Sequence, residues 1–277
     1  MRAWRAFRAI IALCLGLGLT APVSATTIRI GGTGGALEVM RVLGESFISQ
    51  HPNVKVEIVP GLGSGGGRRA LKAGALDVVV TGIAGKGIEK TNGLVSHLYG
   101  RVPFVIAVQK KNSVANFTSQ DLVDIYSGKK IYWPDGERIR CVLRPLSDSD
   151  TDMLHSISPE LKQILVEAHQ RGGMRVGVDD IQAADTIESI NGGVGSSVLS
   201  LILSEKRSLR AVALNKVAPS VKSIADGSYP FLKSYYISTS TNSSAPSRLF
   251  IDFVLSPGRQ AILESMGHWV AEAKAAH

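Results

Sequence analysis

Hydroxyl side chains and glycines stand together at three places where a predicted strand ends. Thr33, Ser64 and Thr81 are each followed by glycine, and the segments before them have the β-branched, apolar character of strands. A hydroxyl group can donate a hydrogen bond, and glycine lets backbone N–H groups approach a ligand closely. Where a helix begins after such a turn, its unpaired N–H groups favour a negative charge. These patterns predict an anion site, with Gly34, Gly35, Gly65 and Gly66 as backbone donors.

The densest glycine run occupies residues 61–67, with five glycines among seven residues. It lies between a predicted strand at 54–59 and a helix predicted to start at Arg68. A flexible loop would explain this run equally well, and each hydroxyl could simply cap a helix. A similar unit, however, begins at the predicted strand 27–30. Two helix N-termini are then expected at one edge of a parallel sheet, where α/β proteins bind ligands, and this repetition favours the anion interpretation.

The N-terminus has the order of a cleaved secretory signal. Arg2, Arg5 and Arg8 precede an apolar run at 9–19 that is too short to span a bilayer comfortably. A small-x-small sequence follows, so cleavage is predicted before Thr26 and the mature protein is expected in the periplasm. No later segment is long and apolar enough to predict stable membrane insertion.

Composition argues against several classes of function. The net charge of +8 comes from charges of both signs that are interspersed, so no nucleic-acid-binding stripe is predicted. After cleavage only Cys141 remains, which excludes an intramolecular disulfide. The histidines lack metal-ligand spacing, and the acidic run 148–152 lacks the glycine and distal glutamate of a calcium loop. With no Gly-x-Ser-x-Gly elbow either, we expect no metal, no cofactor and no enzymatic activity.

A dinucleotide enzyme is the main enzymatic alternative, because Gly61-x-Gly63-x-x-Gly66 formally matches the Rossmann fingerprint. That fingerprint belongs after the first strand, with an acid at the end of the next strand. Here it follows the second strand, and Asp77 begins the third. The export signal also disfavours a diffusible nicotinamide cofactor.

Strands and helices alternate along the whole mature chain, which predicts an α/β fold with mixed, mostly parallel sheets. A buried strand at 102–108 leads into a polar segment, where we expect the chain to cross into a second lobe, and the strand 235–239 is expected to return. A final helix pair is predicted at 247–255 and 258–276. The predicted organisation is a signal peptide at 1–25, the first part of lobe 1 at 26–108, lobe 2 at 109–232, and the return to lobe 1 at 233–277.

Five stretches resemble phosphate-type solute-binding proteins of ABC importers, which have the periplasmic-binding-protein type II fold with two hinge strands. The Gly-Ser-Gly-Gly-Gly sequence at 63–67 and the C-terminal signature at 250–260 are the specific ones. The others are 32–36, 118–129, and Arg144 with the Ser/Asp run after it. The resemblance covers the whole mature chain.

The resemblance implies capture of a small oxyanion, with phosphate as the first candidate, in an interlobe cleft. It also implies a membrane ABC permease as partner, and we expect a monomer. Arg144 is the strongest candidate ligand, because a guanidinium donates two parallel hydrogen bonds to an oxyanion. A salt bridge from Arg144 to Asp148 or Asp150 is the alternative. By similarity, Ser147 and Ser149 are further donors from lobe 2.

The chain departs from the family's pattern at two places. The family usually has Ser-Asp where this chain has Thr81-Gly82, so an acceptor for protonated phosphate is missing. Asp148 and Asp150 stand where the family has small donors. Relaxed anion selectivity is therefore expected, unless Asp148 or Asp150 replaces the missing carboxylate. A periplasmic sensor or adaptor with a weak or lost anion site is the alternative function.

Overall fold

The computed structural model describes residues 25–90 and 92–270. Residues 1–24 of the predicted signal peptide lie outside this part. Within the described ranges, no helix combines the length and the apolar character needed to cross a membrane.

Strands and helices alternate along the described chain, as the sequence predicts. The strands are β1 (Thr26–Gly32), β2 (Val54–Val59), β3 (Val78–Ala84), β4 (Leu94–Gln109), β5 (Asn116–Phe117), β6 (Arg140–Leu143), β7 (Arg175–Val176), β8 (Gly193–Val198), β9 (Leu209–Leu214) and β10 (Leu232–Ser240). The helices are α1 (Gly34–Gln50), α2 (Gly63–Lys72), α3 (Ser119–Ser127), α4 (Ser149–Ile157), α5 (Glu160–Gln170), α6 (Asp180–Ser189), α7 (Leu199–Ser204), α8 (Val221–Ala225), α9 (Ala245–Leu255) and α10 (Gln260–Ser265).

The sheets are mixed, and β4 belongs to both halves of the molecule. β1 pairs in parallel with β2 and β3, and β10 lies antiparallel between β3 and β4. Residues 94–103 of β4 pair with β10, whereas residues 104–109 pair with β8 and β9. β6 then pairs in parallel with β8 and β7. This is the predicted two-lobed α/β fold, in which long strands run from one half into the other.

The exchange of partners in β4 falls between Pro103 and Phe104, a few residues before the crossing predicted at Val108. The described residues form two large buried apolar clusters and a small third one around Leu71. One large cluster centres on α1 with residues such as Met40 and Phe47, and the other includes Tyr126 of α3.

The glycine run at 63–67 is the first turn of a helix and not a loop. α2 begins at Gly63, so the helix start predicted at Arg68 is wrong. Gly67 explains why the run is tolerated there. A Cβ on this residue would lie 2.7 Å from Val79 Cγ2 and 2.9 Å from the Cα of Gly32. Glycine thus lets the start of α2 pack directly against β1 and β3.

The second C-terminal helix is shorter than predicted. α9 matches the helix predicted at 247–255, but α10 ends at Ser265, so the prediction of 258–276 is wrong. Gly267 has a φ of +82°, and Trp269 then exchanges backbone hydrogen bonds with Arg101 in β4. The chain leaves the helix because it returns to the sheet. Residues 271–276 of the prediction lie outside the described residues.

Candidate functional site

A cavity of about 620 Å³ lies between the N-terminal turn of α2, the end of β3 and the segment that joins β6 to α4. Its lining contains both cations and carboxylates. Most of the predicted ligands line it, namely Thr33, Ser64, Gly65, Gly66, Arg144, Ser147 and Ser149. The other predicted ligands, Gly34, Gly35 and Thr81, are buried and do not line the cavity wall.

Arg144 follows β6 directly and is only 4% exposed. Its Nη2 donates to Asp148 Oδ2 at 2.9 Å and to Asp180 Oδ1 at 3.3 Å. Its Nε and Nη1 are buried and have no hydrogen-bond partner among the described residues. Because buried N–H groups without partners cost free energy, this guanidinium is suited to a further acceptor in the cavity.

Asp180, the first residue of α6, connects this guanidinium to the N-terminus of α1. Its Oδ2 accepts hydrogen bonds from Thr33 Oγ1 at 2.6 Å and from the Gly35 amide at 3.1 Å. Burial alone would raise the pKa of Asp180, but Lys233, Arg144 and these hydrogen bonds outweigh it and lower that pKa to about 2. The carboxylate is therefore ionised. It binds the Thr33 hydroxyl and the Gly35 amide, which the sequence analysis predicted as donors to the solute.

Lys233 and Asp150 form a buried ion pair beside Arg144. Lys233 Nζ donates to Asp150 Oδ1 at 2.7 Å, and both residues are 1% exposed. Ser196 Oγ donates to the other oxygen of Asp150 at 2.9 Å. Burial would lower the pKa of Lys233, but Asp150 and the neighbouring carboxylates raise it. Asp150 is therefore fully engaged inside the protein, where it links β10 to α4.

Asp148 has two roles. It is the N-cap of α4, where its Oδ1 accepts from the Asp150 amide at 2.8 Å, as expected for an acid at a helix start. Its other oxygen forms the salt bridge with Arg144 that the sequence left open as an alternative. A longer ion pair joins Arg144 Nε to Asp150 Oδ2 at 4.0 Å. The ligand role of Arg144 is compatible with both salt bridges, because Nη1 takes part in neither.

Glu89 supplies a further carboxylate to the cavity, on the side of β3. Thr81 Oγ1 donates to Glu89 Oε2 at 2.5 Å, and Arg68 Nη1 donates to Oε1 at 3.1 Å. Gly82 has no room for a side chain, since a Cβ there would lie 2.9 Å from Tyr235 Cε1. A carboxylate is thus present near Thr81, although it comes from neither Gly82 nor the α4 acids.

The predicted donors on the open side of the cavity are less engaged. Ser64 Oγ accepts a hydrogen bond from the Gly82 amide at 3.0 Å and keeps its own proton to donate. A Cβ on Gly65 would meet nothing nearer than Arg69 Nη1 at 3.6 Å. Ser147 and Ser149 line the cavity, and Ser147 is exposed. Solute can approach these four residues more easily than it can approach Thr33 or Thr81.

Asp180, Glu89 and Lys233 also line the candidate site, and sequence reasoning missed them. Asp180 stands in an Asp-Asp pair at a helix start, where capping is a sufficient local explanation. Lys233 could have been found from the sequence, because it is a lysine next to the predicted strand 235–239. A lysine at a buried strand position is expected to pair with a carboxylate.

The protein thus combines a mixed-sheet α/β fold with a cavity lined by groups that can donate hydrogen bonds to an anion. A family model described as a PBP superfamily domain matches residues 20–257, and the chain belongs to that superfamily. The relatives named below are described as phosphate-binding and transport proteins and not as enzymes, which agrees with the prediction that the chain is not an enzyme.

Three relatives are informative. The phosphate-binding protein PstS of Bacillus subtilis (strain 168) is 22% identical over 254 residues, which cover 87% of this chain and 80% of PstS. A Clostridium perfringens protein, described as a phosphate ABC transporter substrate-binding protein with bound phosphate, has a TM-score of 0.72 at 20% identity; 89% of this chain and all of that chain are covered. An ABC-type phosphate transport receptor from Vibrio cholerae has a TM-score of 0.58 at 22% identity. The match covers 88% of this chain and 100% of the receptor. The two structures confirm the predicted fold.

Proposed function

We propose that the protein is exported and captures a small tetrahedral oxyanion, with phosphate as the first candidate, for delivery to an ABC permease. The observation that carries this proposal is Arg144. It is a buried guanidinium at the cavity wall whose Nη2 is fixed by two carboxylates and whose Nε and Nη1 lack hydrogen-bond partners among the described residues. Charge-assisted bonds from such a group are about twice as strong as neutral ones.

The donors around Arg144 are consistent with a tetrahedral anion. On one side are Ser64 and the amides of the first turn of α2, whose dipole adds a partial positive charge. Ser147 and Ser149 face the cavity from the other side. We include Thr33, Gly35 and Thr81 in the proposed site as donors that are engaged by Asp180 and Glu89 in this structure, and Gly34 as their neighbour at the start of α1. The names of PstS and of the two structural relatives support phosphate.

The binding site is proposed to lie between lobe 1 (26–108 with 233–277) and lobe 2 (109–232). In this scheme β4 and β10 are the connecting strands, and closure is a hinge motion about them. Export rests on residues 1–25, and N-terminal sequencing of periplasmic protein is expected to begin at Thr26. A cytoplasmic product that keeps Met1 would contradict the proposed location.

The decisive experiment is calorimetric titration of mature protein with phosphate, sulfate and molybdate. Arg144→Ala is expected to weaken binding at least about 30-fold, since removing one member of a buried charged contact costs about 2–5 kcal/mol and 1.4 kcal/mol is tenfold. Arg140→Ala is the matched control, because Arg140 is an exposed arginine at the start of β6, the strand that Arg144 follows. Equal affinities for the two variants, both folded, would refute the ligand role of Arg144.

One observation favours the second candidate, a sensor or adaptor with a weak or lost anion site. Three of the predicted donors, Thr33, Gly35 and Thr81, already donate hydrogen bonds to carboxylates of the protein itself. A ligand that binds only folded protein raises the melting temperature by mass action. If none of the three anions raised it at millimolar concentration, the adaptor would be the better proposal.

A further inference from the structure

The carboxylate of Asp180 sits where a helix N-terminus binds anions. It accepts one hydrogen bond from a hydroxyl, one from a backbone amide of the first turn of α1 and one from Arg144. Hydroxyl, helix amide and guanidinium are also the donor types that the proposed solute requires.

The packing around Gly34 brings Asp180 to this position. A Cβ on Gly34 would lie 2.9 Å from Ile181 Cγ1 and 3.1 Å from Asp180 Cβ. Only glycine lets the start of α6 approach the start of α1 this closely. Thr33 uses its hydroxyl for Asp180 although it is the N-cap of α1 and makes no side-chain capping bond. The backbone and the side chains thus both favour this contact.

We infer that Asp180 is an internal competitor of the solute, which bridges α1 to Arg144 when no anion is bound and must move aside when one binds. The bridging part stands on the contacts alone, whereas the competition part rests on the proposed function. Asp180 is then a residue that sets affinity by occupying the donors itself.

The charges around Arg144 explain why the Asp180 carboxylate and a solute oxyanion cannot both contact this guanidinium. The ion-paired group around Arg144 contains two cations, Arg144 and Lys233, and three carboxylates, Asp148, Asp150 and Asp180, so its net charge is −1. An entering oxyanion would add further negative charge at close range, where like charges repel strongly in a poorly solvated site. Removing the charge of Asp180 balances the group and frees Thr33 and Gly35.

The first arm of the test measures affinity for inorganic phosphate and for sulfate by calorimetry. Asp180→Asn is expected to bind at least one of them about tenfold or more tightly than wild type, since the repulsion is removed while the side chain keeps its shape. Asp179→Asn makes the same charge change on the adjacent residue, whose carboxylate caps α6 by accepting from the Gln182 amide. This control is expected to bind like wild type.

The second arm requires no solute. In anion-free buffer, hydrogen exchange of the Gly35 amide is expected to be faster in Asp180→Ala than in wild type and unchanged in Asp179→Ala, because the Gly35 N–H loses its acceptor. If Asp180→Ala did not fold, the same exchange would be measured in Asp180→Asn, whose amide oxygen accepts more weakly.

The two arms separate the possible failures. If no variant bound any anion while Gly35 exchange rose in the Asp180 variants, the bridge would stand and the proposed function, with the competition, would fall. If wild type bound phosphate through Arg144 but Asp180→Asn bound no more tightly, the competition would be overturned. Unchanged Gly35 exchange in every Asp180 variant would overturn the bridge.

Discussion

The β1–α1 and β2–α2 units begin with similar glycine-rich turns but use them differently. At the start of α1, Thr33 is 3% exposed and its hydroxyl and the Gly35 amide bind an internal carboxylate. At the start of α2, nothing lies within 4 Å of where a Cβ on Gly63 would be, and Ser64 lines the open cavity. The first turn is packed and satisfied internally, whereas the second faces solvent.

This difference shows that a glycine-rich helix start does not by itself specify a ligand. Glycine allows close approach, and the approaching group can be a solute or another part of the chain. In the β1–α1 unit it is α6 with Asp180, so the packing is a matter of stability. In the β2–α2 unit the amides stay accessible, so the effects of substitution should appear mainly in binding. The following predictions test this contrast.

The largest effect is expected at the buried charges behind the β1–α1 unit. Lys233→Met should lower the free energy of unfolding by about 3–5 kcal/mol, because it leaves Asp150 buried without its cation. Lys111→Met is the control, since Lys111 pairs with Glu137 at the surface and such pairs contribute about 0–1 kcal/mol. Urea titration measures both. Similar losses in the two variants would show that the buried pair has no special weight.

Gly35→Ala should destabilise the protein by about 1–3 kcal/mol through overpacking. The added Cβ would lie 2.5 Å from Val198 Cγ2 and would also clash with the Tyr235 hydroxyl. Thermal and urea unfolding give the change in free energy. A wild-type midpoint for this variant would mean that the turn has room, and the contrast between the two units would disappear.

Acid titration should reveal Asp180 directly. Its folded-state pKa, about 2, lies below its ordinary value of 3.8, so its contribution is present above pH 4 and lost as the pH falls towards 2. The loss is expected to be about 2 kcal/mol. Burial also lowers the pKa of His268 to about 4, so stability falls between about pH 6.5 and 4 as well.

The Asp180→Asn variant separates these two windows. It should keep the fall between pH 6.5 and 4 and show a smaller fall between pH 4 and 2, where Asp121 and Asp226, whose pKa values are also lowered, still contribute. Unfolding free energies measured from pH 7 to pH 2 would test this. An unchanged slope below pH 4 in the variant would contradict the ionised, hydrogen-bonded state of Asp180.

Much of the fold follows from local patterns in the sequence. The bounds of β2 agree with the strand predicted at 54–59, and α9 lies where a helix is predicted at 247–255. The Thr118–Asp121 capping box and Gly128 at φ +80° likewise define α3 from local sequence. These features depend on periodicity, capping and turn chemistry, which act over a few residues. The start of α2 was missed because glycine has a low helix propensity, which tertiary packing overrides here.

The site was predictable in part for the same reason. Arg144 stands at a strand end beside the cavity, and its position could be inferred from its neighbours in sequence and from the family resemblance. The positions of Asp180, Glu89 and Lys233 at the cavity could not be inferred in this way, because their contacts depend on how separate helices and strands pack together. Thr33 and Asp180, for example, are 147 residues apart in the chain.

The smallest effect is expected at Gly65, where stability and binding should change in opposite directions. Gly65 lies within the first turns of α2, and a Cβ there would be 3.6 Å from Arg69 Nη1, an ordinary contact. Alanine is favoured over glycine inside a helix by about 0.5–1 kcal/mol, so Gly65→Ala should unfold at a slightly higher urea concentration. Phosphate affinity should nevertheless fall, because side chains on a helix tilt towards its N-terminus and the new methyl group would stand beside the solute.

Gly172→Ala is the control, since Gly172 lies in an exposed loop with no atom within 4 Å of an added Cβ. This substitution should leave phosphate binding unchanged. A Gly65→Ala variant that gained stability and bound phosphate like wild type would show that the solute does not rest on this turn, and the open β2–α2 unit would then need another explanation.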